Sequence, residues 1–283
     1  MRVVGERIVA VHGIGNYYPN RSPGDAAAAL CTKWAAALRT PAELHAAYYA
    51  HLLRPTGGQR GGGALLGDAA VEELTDTEAA VLTAWLAAYG VPDGSVAQGR
   101  PTQLLRQPLS WVAQHSGKPA HPLFRLLARL AREVTWYFER PECRTAARAD
   151  VAATIARVRP RAIVAHSLGS VVAYEALWSA SGAAVPVDLL VTVGSPLALP
   201  GAVFDRLDPP PVAGRGRRPP SVDRWINIAD VGDLVALPRQ LTRAFDGIEE
   251  DIETTIAPVD FHTFGKYLAS EAVEKALLSA SGY

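Results

Sequence analysis

Ala162-Ile163-Val164-Ala165-His166-Ser167-Leu168-Gly169-Ser170-Val171-Val172 is the stretch that decides the fold. Residues 162–165 form a short apolar run of strand type, and residues 171–178 an apolar run of helical type. A serine therefore stands where a predicted strand meets a predicted helix. So sharp a turn forces its central residue into strained backbone geometry, and small residues two before and two after it let strand and helix pass closely. Gly169 meets that need in full. Ala165 stands where a second glycine is usual and is still small. A small-x-Ser-x-Gly match arises often by chance in a chain rich in Ala and Gly, but far less often between Ile163-Val164 and Val171-Val172. Ser167 is accordingly read as a nucleophile rather than an ordinary turn serine. The helix that begins near Leu168 presents free N–H groups and a partial positive charge to a developing negative oxygen. His166 neighbours the nucleophile, points elsewhere, and is read as structural.

Upstream, residues 7–11 are a β-branched run entering the glycine turn His12-Gly13-Ile14-Gly15. Glycines there allow a tight turn that aims a backbone N–H at the serine, and the second N–H comes from Leu168. Ile14 is the favoured first donor and its neighbour Gly15 the alternative. Residues 45–52 read as a second strand, and residues 26–38 as a helix. Residues 54–63 form a glycine-dense loop, expected to be mobile and too irregular for a phosphate-binding loop.

Between residues 64 and 159 the signals are mainly helical, with helices at 72–89, 123–138 and 146–158. In the second of these, Leu123, Leu127, Leu130, Val134 and Tyr137 recur at three and four residues and make an apolar stripe. Arg125, Arg129 and Arg132 lie on its other side. Such a basic amphipathic helix could touch a membrane or cover a site, but packing on the sheet is the preferred reading. Downstream, residues 187–193, 225–229 and 252–256 read as strands, 209–220 as a Pro/Gly/Arg-rich surface excursion, and 263–279 as a C-terminal helix. Strands alternating with helices predict a parallel sheet covered on both faces. The expected organisation is one domain over residues 1–283 with a mainly helical insertion at about 64–140.

After the strand at 225–229 come Asp230 and Asp233, either of which could orient an imidazole and stabilise its protonated form. The other reading of each is a loop-capping carboxylate. Asp230 sits in the first turn, where a short carboxylate binds local N–H groups. Asp233 follows Gly232, where the chain can turn back toward the serine, and is the preferred acid. His262 lies between a predicted strand and a predicted helix, where a loop histidine can reach that turn.

With these pieces in place the sequence resembles the α/β-hydrolase superfamily, particularly its bacterial serine esterases and lipases. The matching segments are His12-Gly13-Ile14-Gly15, Ala165-His166-Ser167-Leu168-Gly169, Val193-Gly194-Ser195-Pro196-Leu197, Asp233-Leu234-Val235 and His262. They run from residue 8 to about residue 268, and residues 54–140 match only as a helical insertion. The resemblance implies a mostly parallel sheet with helices on both faces and an insertion over the site. It also implies the chain order serine, acid, histidine, and of the seven histidines only His262 follows Ser167. Asp233-Leu234-Val235 resembles the acid-x-Val pattern of lipase-like members, and Ser195 is read as structural. The implied chemistry is hydrolysis of a carboxylic ester or related acyl compound through an acyl-enzyme, with no metal or organic cofactor. An acyltransferase, cyclase or thioesterase would use the same groups, and a non-catalytic binding protein would have no need of them all.

Composition narrows the partners. Hydrophobic residues at 49% and charged residues at 20% exclude wholesale disorder. A formal net charge of +0 gives no electrostatic case for nucleic acid. Cys31 and Cys143 lack disulfide or zinc spacing, no transmembrane run or leader is read, and a cytoplasmic location is expected. Trp85, Trp111 and Trp136 add more apolar surface to the insertion than a solvated segment should expose. The expected partner is thus a small, apolar acyl or ester substrate.

Overall fold

The computed structural model describes residues 6–53, 73–91, 105–256 and 262–280. The chain opens with β1 (Glu6–Val11), α1 (Pro23–Ala35), β2 (Ala42–Ala47) and a 3₁₀ turn at Ala50–Leu53. Helices follow: α2 (Asp76–Tyr89), α3 (Arg106–Ser116), α4 (Ala120–Glu139) and α5 (Pro141–Val158). Then come β3 (Ala162–His166), α6 (Leu168–Trp178), the short α7 (Ala180–Ala183) and β4 (Val187–Val193). The last third holds β5 (Gly216–Arg217), β6 (Val222–Asp230), β7 (Phe245–Asp246), β8 (Glu250–Thr254), α8 (Phe264–Leu268) and α9 (Glu271–Ala280).

Six strands make one sheet in the order β2-β1-β3-β4-β6-β8, and every pairing is parallel. β5 and β7 form a separate two-stranded pair. Alternation along the strands divides the core, because successive side chains leave opposite faces. Val9, Val11, Ile163, Ala165, Leu190 and Trp225 face one layer, which α2 to α6 complete. Ile8, Ala10, Val164, Val191, Ile226 and Ile228 face the other, covered by α1, α8 and α9. This strand order, with helices on both faces and a helical insertion, is that of the α/β-hydrolase fold.

Several boundaries differ from the sequence reading, each for a local reason. β2 starts and ends earlier than 45–52, because it pairs level with β1, Glu6 opposite Ala42 and Val11 opposite Ala47. Tyr49, expected inside that strand, leaves the sheet to bond His12. α2 begins at Asp76 rather than residue 72, since Thr75 and Glu78 form a reciprocal capping box there. α3 stands as a separate helix within the general helical signal of residues 64–159. The strand expected at 252–256 is β8, whose end leaves Ile256 free to donate its N–H to Asp230. The predicted helix 263–279 breaks into α8 and α9 at Ser270, whose hydroxyl accepts the Val273 N–H as a new cap.

Of the insertion, residues 73–91 and 105–140 are described, and 64–72 and 92–104 lie outside the described residues, as does the loop 54–63. Its apolar stripe is not exposed: Leu123, Leu127, Leu130, Val134 and Tyr137 are buried in the same layer as Val171 and Leu168. Trp85 is fully buried and Trp111 packs at the edge of that layer. Among the described residues no helix is long and apolar enough to cross a membrane.

Candidate active site

β3 is central in the sheet, and its C-terminal end delivers Ser167 to the turn into α6. Ser167 has φ 52° and ψ −132°, a left-handed conformation that costs a residue with a Cβ of order 1–3 kcal/mol. The strain is held by the Ser167 N–H donating to the Val193 carbonyl at 3.1 Å, and by the Ser170 N–H and hydroxyl donating to the Ser167 carbonyl. Ser195, read as structural, shares a 2.7 Å hydroxyl contact with Ser170 and accepts the Leu197 N–H. It braces the turn from below. Two close approaches need glycine here. A Cβ on Gly13 would lie 2.6 Å from the Ser167 Cβ and 2.7 Å from His166 Nδ1, and one on Gly169 would collide with the His12 carbonyl oxygen.

From Ser167 a continuous hydrogen-bonded chain runs inward. Its Oγ lies 2.8 Å from His262 Nε2. His262 Nδ1 lies 2.8 Å from Asp233 Oδ2 and 3.0 Å from Oδ1. A carboxylate facing Nδ1 fixes the ring proton there, which leaves Nε2 as acceptor for the serine hydroxyl. Asp233 is fully buried, as is Ser167. A buried carboxylate must be hydrogen-bonded. Oδ1 accepts the Val235 and Ala236 N–H groups, and Oδ2 accepts the Tyr267 hydroxyl at 2.7 Å.

Asp230 stands apart from this chain. One of its oxygens accepts the Gly232 N–H at 2.8 Å and the other the Ile256 N–H at 3.1 Å, tying the loop after β6 to the end of β8. The two aspartates, three residues apart, thus face different partners.

On the other side of Ser167 the loop after β1 is held by its own side chains. His12 Nδ1 donates to the Gly13 carbonyl at 2.8 Å, and Nε2 accepts the Tyr49 N–H at 3.1 Å. Its ring stacks on Tyr49 at 4.1 Å. Burial pushes His12 down to about 4, so it is neutral near pH 7 and can serve as that acceptor. Asn16 donates to the Gly13 and Ile14 carbonyls. The Gly15 N–H, the alternative inward donor, is engaged by Glu133 Oε1 at 2.9 Å. No described group accepts from the Ile14 N–H, and Leu168, first residue of α6, has no acceptor one turn back.

His166 is buried beneath His262, with ring centroids 4.5 Å apart, and stacks on Phe264. Burial, with His262 and His12 nearby, holds it well below the usual histidine range. It packs as a neutral ring and makes no hydrogen bond among the described residues. No group of three or more His, Cys, Asp or Glu side chains among the described residues is placed to hold a metal ion.

Glu133, Asn16, Tyr49 and Tyr267 were not singled out in the sequence. Glu133 carried a signal: it lies three residues after Leu130 and four before Tyr137, a lone acid on the apolar stripe of α4. Tyr267 carried none beyond its nearness to His262.

No protein-family model matches the chain, and neither a characterised protein nor a solved structure is similar enough to count as a match.

Proposed function

We propose that the protein is a serine hydrolase that cleaves a carboxylic ester or related acyl compound through an acyl-enzyme. The observation that carries this reading is the chain Ser167 Oγ, His262, Asp233, begun at a residue held in a strained left-handed conformation. Ser167 Oγ attacks the acyl carbon while His262 Nε2 takes its proton, and Asp233 stabilises the imidazolium. The tetrahedral oxyanion is met by the Ile14 and Leu168 amides, two N–H groups for which no described residue supplies an acceptor. The same proton then passes from His262 to the departing alkoxide, leaving an ester on Ser167. Water, deprotonated by His262, attacks that ester, and collapse releases the acid and returns the proton to Ser167.

The insertion and the sheet are read as parts of one domain, because α2 to α4 share a hydrophobic layer with α6 and the strands. That apolar surrounding favours an uncharged acyl group, so esters of medium chain length are the expected substrates. Cys31 and Cys143 are free thiols, which suits the reducing cytoplasm in which the reading places the protein.

The test is turnover of p-nitrophenyl esters from acetate to dodecanoate by wild type and Ser167→Ala. Wild type is expected to peak at medium chains, and Ser167→Ala to lose at least about a thousandfold in kcat with its melting temperature kept. A profile peaking at acetate removes the medium-chain reading, and near-native turnover by folded Ser167→Ala removes the hydrolase reading.

A further inference from the structure

Asp233 must present one oxygen to His262, yet nothing in a carboxylate itself fixes its rotation. The torsion between an sp³ and an sp² carbon is broad and two-fold, so both oxygens need anchors if the orientation is to be single. Oδ1 has the Val235 and Ala236 amides, which belong to the loop of Asp233 itself. Among the described residues Oδ2, the oxygen nearer His262, has one anchor besides His262, the Tyr267 phenol at 2.7 Å. Tyr267 comes from α8, five residues after His262, and its ring is fully buried. Its own oxygen accepts the Asp230 N–H at 3.0 Å, at the last residue of β6. Burial beside Asp233 pushes the phenol well above its ordinary range, so it remains a donor at any working pH.

We propose that Tyr267 is a positioning residue for the reaction, a rigid strut from the end of β6 that fixes Asp233 Oδ2 toward His262 Nδ1. The inference rests on the Ser167–His262–Asp233 reading. It assigns to Tyr267 no contact with substrate. Its work is to restrict Oδ2 while His262 gains and loses a proton, so that this oxygen is not left to the Nδ1 bond alone. The phenol also joins the segment carrying His262 to the loop carrying Asp233, so both move as one piece.

Tyr267→Phe removes the hydroxyl and keeps the ring. It is expected to lower kcat on p-nitrophenyl butyrate about tenfold with KM within about twofold, because misplacement of a supporting group is felt in the reacting geometry. Labelling of Ser167 by a fluorophosphonate should slow by the same factor. In an Asp233→Asn background, Tyr267→Phe should change the labelling rate less than about twofold, since the group it positions is gone. A lowered melting temperature with kcat unchanged, or an equal fold loss in the Asp233→Asn background, would make Tyr267 merely structural and overturn the proposal. Should Tyr267→Phe fail to fold, 4-aminophenylalanine and 4-fluorophenylalanine at this position serve the same comparison. The amine, which keeps a donor, should stay within about threefold of wild type and the fluoride lose about tenfold; equal rates for the two would contradict the proposal. Loss of the hydrolase reading would show separately, as full activity in Ser167→Ala.

Discussion

The turn from β3 into α6 and the inserted helices α2 to α4 share one hydrophobic layer but are built in opposite ways. At the turn each residue is constrained by its immediate neighbours: Ser167 is strained, Gly169 and Gly13 are packed against backbone and Cβ, and Ser170 and Ser195 brace the loop. The insertion is held by bulk burial, with Trp85, Leu127 and Val134 inside the larger hydrophobic layer. A handful of polar contacts join it to the site. Trp85 Nε1 donates to the carbonyl of Leu234, next to Asp233, and Glu133 accepts the Gly15 N–H. Strain and exact placement concentrate where chemistry is expected, and stability is drawn from the surroundings. Substitutions should therefore separate: those at the site cost rate, those in the insertion cost folding free energy.

The largest separation is expected within the loop after β6. Asp233→Asn should cut kcat by about a thousandfold or more, since an amide favours the wrong imidazole tautomer, with the fold kept. Asp230→Asn should lower stability by about 1–2 kcal/mol, through its bonds to Gly232 and Ile256, with kcat within about threefold. Kinetics and melting of both variants check this; a severe kinetic loss confined to Asp230→Asn would exchange their roles.

From the insertion, Trp85→Ala should cost about 3–5 kcal/mol by denaturant titration, a cavity plus an unpaired Leu234 carbonyl. Turnover per folded molecule should fall far less than in Asp233→Asn. The comparison fails if Trp85→Ala is nearly neutral in stability.

The next effect is a pH dependence at the loop after β1. His12 has a folded value of about 4 against an ordinary 6.5, so the unfolded chain binds its proton first. Stability is then full above about pH 6.5 and is lost as pH falls toward 4, by about 3 kcal/mol in all. Unfolding free energies of wild type and His12→Gln, from denaturant titration between pH 8 and 4, should diverge by that amount, wild type losing more. Parallel curves would count against a buried neutral His12.

The smallest effect falls where the two regions meet. Glu133→Ala leaves the Gly15 N–H without its acceptor and loosens the loop that carries the Ile14 amide. A loss of about tenfold in kcat is expected, recovered in part by Glu133→Gln, which can still accept. Equal kcat in Glu133→Ala and wild type would confine the insertion to a purely structural part.

Legibility in the sequence follows the same division. The turn at Ser167 could be read because its constraints are local, a small-x-Ser-x-Gly pattern between a strand run and a helix run. β4 could be read to the residue, as a near-continuous apolar run, buried at every position but Asp188. Asp233 and Asp230 could be ranked because turn chemistry after a strand depends on a few neighbours. Tyr49 and Tyr267 could not be found that way: their partners, His12 and Asp233, lie 37 and 34 residues distant, and an aromatic in an apolar segment reads simply as core. The break at Ser270 was masked by an apolar pattern that continues through it, and the start of β2 was set by pairing with β1 rather than by its own residues.

The central claim is that His262 and Asp233 activate the Ser167 hydroxyl. Intact-protein and peptide mass spectrometry after treatment with a fluorophosphonate tests this without knowledge of the substrate. The account predicts one adduct per chain, mapped to Ser167, and no adduct in folded Ser167→Ala. An unmodified wild-type chain, or an adduct retained in Ser167→Ala, would contradict it.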